Sequence, residues 1–188
     1  MPDKVDLKRT LPCYRARRDT PELVDVPDLR YLMLDGHGDP NTAAWTDAVS
    51  TLFPAAYRLK AAARRELGRD HVVMPLEALW WADDMASFTD ARDKSRWHWT
   101  VMIMQPDWIE PGMVTGGPRL ETLSEGRCVQ ALHVGPYDDE AALIRRMHDG
   151  IGPDLRLTGR HHEIYLSDPR RVEPAKLRTI LRQPVAPA

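Results

Sequence analysis

The sequence predicts an α+β fold built from two strand-helix-strand-strand modules, and three observations carry that prediction. An apolar run, a helix-spaced run and two further β-rich runs occur once in residues 24–110 and again in residues 121–186. The punctuation matches too: Gly38-Asp39-Pro40 precedes the first helical run, and Gly135-Pro136-Tyr137 precedes the second. Later segments also pair up. Leu76-Glu77-Ala78-Leu79-Trp80 resembles His162-Glu163-Ile164-Tyr165-Leu166, and Met104-Gln105-Pro106 resembles Arg182-Gln183-Pro184. A repeat of this kind points to duplication. Two such modules, fused into a single domain, are expected to form one antiparallel sheet with both helices on one face and a ligand cleft at the seam.

Residues 1–23 read as a polar arm on the surface, because Lys4, Lys8, Arg9, Arg15, Arg17 and Arg18 alternate with Asp3, Asp6 and Asp19 and apolar positions are sparse. Leu29 to Leu34 is apolar enough for a strand. Asp39 is then expected to cap a helix with Pro40 at its first position. Trp45, Val49, Leu52, Phe53, Ala56, Leu59, Ala63 and Leu67 recur at spacings of three and four, the pattern of an amphipathic helix. Pro54 should bend it and Gly68 close it. Residues 72–81 and 97–105 are β-rich, and the charged stretch 83–96 between them reads as a long exposed connection.

In the second half Arg127 to Val134 reads as a strand, and Asp138 is placed to cap the next helix. That helix puts Leu143, Ile144, Met147 and Ile151 on one face before a Gly152-Pro153 break. His161 to Leu166 is a strand, Pro174 begins a short turn, and Leu177 to Val185 is the last strand.

Composition narrows the function. The chain has 188 residues and a net charge of −2, with 26 Lys+Arg against 28 Asp+Glu. That balance leaves no electrostatic footprint for nucleic acid or an anionic membrane. No apolar run approaches the roughly 18–20 residues of a membrane span, and the N-terminus lacks a secretion signal. The expectation is a cytoplasmic protein with a small-molecule partner, no nucleic acid, no membrane and no evident protein partner. Cys13 and Cys128 make neither a disulfide framework nor a zinc quartet, and neither has the His and Asp or Asn company of a thiol nucleophile. His161-His162-Glu163 lacks metal-ligand spacing, and Gly36-His37-Gly38 lacks the Gly-Lys-Ser/Thr of a phosphate loop. No metal and no cofactor are expected.

The aromatic content is unusual. Of thirteen aromatics six are Trp and only two Phe, and Trp80, Trp81, Trp97, Trp99 and Trp108 fall within one stretch. Buried indole needs a partner for its N–H, so Phe fills a core more simply, and the cluster hints at a surface for flat organic ligands.

Four segments carry a family likeness: Val72-Val73-Met74-Pro75-Leu76-Glu77-Ala78-Leu79-Trp80-Trp81, Trp99-Thr100-Val101-Met102-Ile103-Met104-Gln105-Pro106, His133-Val134-Gly135-Pro136-Tyr137, and the tail from His161 to Arg170. Together they resemble the GyrI-like small-molecule-binding family, stand-alone branch. The resemblance implies a duplicated strand-helix-strand-strand fold that binds drug-like aromatics. It also implies a comparison with cyclopropanoid cyclohydrolases, which open the strained ring of DNA-alkylating antibiotics within an aromatic cage. No helix-turn-helix is expected beside the domain, which argues against a transcription regulator.

Period-two alternation puts Glu77, Leu79 and Trp81 on one strand face, and Glu163 with Tyr165 on another. The resemblance implies a ligand-facing glutamate on the strand of Glu163. The candidate catalytic residues are therefore Glu163, Glu77 and Tyr137. The candidate ligand-binding residues are Trp80, Trp81, Trp97, Trp99, Trp108 and Tyr165. Rings of this kind stack on planar ligands and attract cations, and a carboxyl in apolar surroundings can act as general acid or base. The expected activity is hydrolysis of strained cyclopropane-containing alkylating agents. Sequestration without turnover is the alternative, and an interaction module for another protein a third.

Overall fold

The structure, a computed structural model, describes residues 4–84 and 93–188. Most of the connection expected at 83–96 lies outside the described residues. In chain order the elements are β1 (Lys4–Val5), α1 (Leu7–Thr10), β2 (Glu22–Val26), β3 (Leu29–His37), α2 (Ala43–Ala62), β4 (Asp70–His71), β5 (Leu76–Trp81), β6 (His98–Gln105), β7 (Arg119–Leu123), β8 (Gly126–Val134), α3 (Ala141–Asp149), β9 (Leu155–Leu157), β10 (His161–Tyr165) and β11 (Arg178–Pro187). The fold is α+β with antiparallel sheets, and β3-α2-β5-β6 and β8-α3-β10-β11 repeat one element order, as the sequence predicts.

The chain divides into two compact units. One holds residues up to Leu11 with Leu29–Leu123, and the other holds Pro12–Asp28 with Ser124–Ala188. In the first unit the strands run β5-β6-β3-β7, all antiparallel, with a separate parallel pair β1–β4. In the second they run β10-β11-β8-β2, also antiparallel, with β9 on the end of β11. The fourth strand of each unit is exchanged along the chain. β2, which precedes β3 in sequence, pairs with β8, and β7, which precedes β8, pairs with β3.

Each helix covers its own unit's sheet. α2 buries Leu52, Ala55, Ala56 and Leu59, one stripe at three- and four-residue spacing, and runs through Pro54. Its last turn passes into a π turn over Ala63–Leu67, closed by Gly68 at φ +65°. α3 packs Leu143 and Met147 on Val129, Ala131, Leu181 and Val185.

Both helix starts differ from expectation. Asp39 does not cap α2; its carboxylate accepts from the Asn41 amide N–H at 2.9 Å and its carbonyl from the Thr42 amide N–H at 3.0 Å. This local turn delays the helix to Ala43, with Thr42 at the N-cap. The second helix is preceded by a 3₁₀ turn over Tyr137–Asp139, so Glu140 takes the N-cap place expected for Asp138, without a side-chain cap bond. The N-terminal arm also does more than lie on the surface: Cys13 and Tyr14 are buried.

Gly36 has a packing reason. It stands opposite Trp99 in the β3–β6 register, and a Cβ there would lie 1.9 Å from the Trp99 ring. Trp99 is only 1% exposed and has no room to yield. Gly36→Ala is therefore expected to cost about 2–3 kcal/mol of stability, read as a lower Tm and a changed near-UV tryptophan CD signal. An unchanged Tm would contradict this packing.

Candidate active site

Alternation and register decide which aromatic groups meet in the first unit. Trp80 and Trp99 are register partners on β5 and β6, facing α2. Trp45 of α2 stacks on Trp80 at 5.1 Å and meets Trp99 edge-on at 5.2 Å. Trp97 adds an edge contact to Trp80 at 5.8 Å, and the Trp99 indole N–H donates to the Gly38 carbonyl at 3.2 Å. So Trp80, Trp97 and Trp99 do come together, joined by Trp45, which the sequence reading treated only as a helix-core position. The four rings spend much of their surface on one another.

Trp81 and Trp108 stand outside that cluster. Trp81 points to the sheet face turned from α2, where it stacks on His98 at 5.6 Å, and His98 meets His37 at 5.1 Å. Glu77 is on that same face, opposite Met102, and is fully buried. Trp108 packs edge-on against His71 at 6.0 Å, under the Arg69 guanidinium at 4.7 Å. Burial, then the charge of Lys60, lowers His71 to about 4, so this imidazole is neutral.

The second unit gathers carboxyls and phenols at one place. Glu163 and Tyr165 share the β10 face toward α3, because their register partners on β11 are Leu181 and Thr179, and Leu181 lies in the α3 core. Glu163 accepts from the Tyr165 hydroxyl at 2.6 Å, and its other oxygen lies 3.2 Å from His161 Nε2. Tyr137 sets its ring edge-on to Tyr165 at 5.7 Å. Glu140, three residues after Tyr137 and 4% exposed, faces Glu163 and Thr179. Burial first, then repulsion by Glu163, raises the Glu140 carboxyl far above the usual range, so it keeps its proton at neutral pH. Burial, with the charges of Glu140, Glu163 and Asp168, pushes the Tyr137 hydroxyl up to about 12.

Unsatisfied polar atoms collect around this pair. Glu140 Oε1, Thr179 Oγ1, His161 Nδ1 and His148 Nε2 are buried without a hydrogen-bond partner among the described residues. Buried polar groups are nearly always paired, so these atoms stand out within the second unit, although Glu140 also interacts with Thr179 and Glu163.

The opposite face of the same strands is structural. His162 alternates with Glu163 and points the other way, its Nδ1 2.9 Å from Glu125 Oε1. Arg182 donates to Glu125 at 3.0 Å, to Gln130 Oε1 at 3.2 Å and to the Cys13 carbonyl at 2.6 Å. Burial alone would raise Glu125, but His162 and Arg182 outweigh it and hold the carboxyl at about 2. Burial and Glu125 push the Cys128 thiol up to about 12, which leaves it a poor nucleophile. Among the described residues no three or more His, Cys, Asp or Glu side chains are grouped to hold a metal, and no helix is long and apolar enough to cross a membrane.

Glu140 is the site residue sequence reasoning missed. It sits in an Asp-Asp-Glu run that looks like a solvated helix start. The available signal was its three-residue spacing from Tyr137, which puts both side chains on one side of a helical turn.

A family model for the GyrI-like small molecule binding domain matches residues 19–186. An uncharacterized conserved protein from Listeria innocua is 36% identical in crystal structure, covering 97% of this chain and 100% of its own, with a TM-score of 0.88. A hydrolase from Listeria innocua is 33% identical, covering 98% of this chain and 100% of its own, with a TM-score of 0.85. Another hydrolase from the same organism is 34% identical, covering 97% and 100%, with a TM-score of 0.83. No curated protein matches the chain.

Proposed function

The chain belongs to the GyrI-like small-molecule-binding family, and from that premise we propose that it binds planar aromatic xenobiotics and hydrolyses strained cyclopropane-containing ones. The observation that carries the reading is the gathering of Glu163 and Glu140 beside the Tyr137 and Tyr165 rings, with the Tyr165 hydroxyl 2.6 Å from Glu163 and Glu140 buried and held in its protonated form by burial first and then by Glu163. Such a divided pair is the usual basis for assigning an acid and a base. The likeness to Listeria hydrolases supports the same class of chemistry.

In this reading Glu163, steadied by Tyr165 and His161, takes a proton from water as the water oxygen attacks the strained ring carbon. The C–C bond opposite breaks, and its electrons pass into the conjugated carbonyl. Glu140 gives its proton to that oxygen, and the Tyr137 hydroxyl, still protonated, donates a hydrogen bond there. The sum is addition of one water. The proton then returns from Glu163 to Glu140, and the pair is reset. The rings of Tyr137 and Tyr165 offer faces for a flat ligand, with Tyr137 38% exposed. Glu77, on the face of the first unit turned from α2, takes no step in this sequence.

Incubation with a spirocyclopropane-containing alkylator, followed by mass spectrometry, tests the reading. The expected product carries one added water, formed well above the buffer rate. Glu140→Gln should slow turnover about 10²-fold or more. The same substitution should stabilise the fold. A carboxyl raised by folding binds more protons folded than unfolded, so it costs stability as pH rises above its unfolded pKa, and glutamine removes that cost. Turnover at the buffer rate with intact ligand binding would leave sequestration, which the family's small-molecule binding favours, as the function.

A further inference from the structure

In the first unit three rings stand in one row across the sheet: His37 of β3, His98 of β6 and Trp81 of β5 are successive register partners. We propose that His37 and His98 form a site for a zinc-class divalent ion. One imidazole nitrogen from each strand holds the ion, and water takes its other two positions.

The strand ladder brings these two side chains as close as a sheet allows. The Gly38 amide N–H donates to the Trp97 carbonyl at 2.7 Å, so Gly38 and Trp97 are a hydrogen-bonded pair. Bonded and non-bonded pairs alternate along antiparallel strands. His37 and His98 are therefore a non-bonded pair, the kind whose side chains stand closer. Their ring centres are 5.1 Å apart, with the planes tilted by 53°. Two imidazoles that share a tetrahedral ion, at about 2.0–2.1 Å per nitrogen, keep their ring centres roughly 5 Å apart. The spacing observed meets that demand without moving either strand.

The ligand atoms are also available. Trp81 stacks on His98 at 5.6 Å and 16°, which covers the face of the imidazole and leaves its edge, where both nitrogens lie. Neither histidine has a hydrogen bond or an ion pair among the described residues. The backbone beneath them is fixed on both sides of His37. Trp99 fills the space over Gly36, and its indole N–H donates to the Gly38 carbonyl at 3.2 Å. Asp35, on the same face of β3, is engaged by the Thr100 hydroxyl at 2.7 Å and by Arg119 at 3.0 Å. Among the described residues no third His, Cys, Asp or Glu joins the pair in a larger group. Water therefore completes the shell, and His37 is exposed enough to admit it. An ion with such open positions can trade a water for an oxygen or nitrogen donor of a small molecule. Spacing along the chain gave no sign of this pair, because its members come from strands remote in sequence.

The experiment is isothermal titration calorimetry of zinc chloride into the full chain, at mildly alkaline pH in a buffer that does not bind metal. One ion per chain is expected, and saturating zinc should raise Tm by mass action. Losing even an outer partner of a metal ligand costs about 10–100-fold in affinity, so His37→Ala should weaken zinc binding at least about tenfold. His98→Phe should do the same while keeping a ring against Trp81. Near-UV CD then checks that each variant is folded, and His37, being exposed, can be replaced without disturbing the core. Cobalt(II) reports the geometry: a tetrahedral ion gives an intense visible band and an octahedral one a faint band. Zinc affinity unchanged in both variants would overturn the proposal. So would a parent chain that binds no zinc, or a cobalt complex without the tetrahedral band.

Discussion

Glu163→Gln is expected to lower kcat for a strained cyclopropane substrate by about 10²–10⁴-fold, the range typical of losing a placed proton acceptor. Glutamine keeps the volume of the side chain, and its amide oxygen still accepts the Tyr165 hydroxyl that lies 2.6 Å from Glu163. What it loses is the ability to take a proton. Ligand affinity, measured by tryptophan or tyrosine fluorescence, should stay within about threefold, so the loss appears in kcat rather than KM. A variant that turns over like the parent would remove Glu163 from the chemistry. One that loses affinity and rate together would make it a binding group only.

The second large effect concerns stability. Glu125→Ala leaves Arg182 and His162 buried with their shared carboxylate gone, and both are fully shielded from solvent. Breaking a buried pair from one side costs about 3–5 kcal/mol. At roughly 2–4 °C per kcal/mol for a chain of this size, Tm should fall by about 6–20 °C. The pH profile follows from the same group. Folding depresses the Glu125 carboxyl from 4.5 to about 2. Its stabilisation is therefore complete above the unfolded value and lost as pH falls through that interval. The parent protein should weaken steeply there, and the variant should show a shallower acid limb. Matching acid limbs would mean that other groups govern acid unfolding.

Local pattern made much of this fold legible. The apolar spacing from Trp45 to Leu67 marked α2, and alternation correctly put Glu163 and Tyr165 on one face. Glu77 and Glu163 show where local reading ends. Their segments look equivalent, yet Trp80 faces α2 and Glu77 does not, whereas Glu163 faces α3. An offset of one residue turns a strand over, and similarity of short segments does not fix that offset. Glu140 was hidden for another reason: its burial comes from strands distant in sequence, and composition nearby suggests only a solvated turn. The pairing of β2 with β8 and of β7 with β3 likewise left no periodic trace, because pairing between remote strands is set by packing rather than by either strand alone.

That crossed pairing shapes how the molecule must be made. β2 leaves the ribosome roughly a hundred residues before β8, a delay of about 5–20 s at ordinary synthesis rates. During translation the early strand waits without its neighbour. A gene split between the repeats would yield two fragments, each with a missing border and a surplus strand. Supplied together, such fragments have reason to complement one another, and supplied singly each is left with an open edge prone to aggregate.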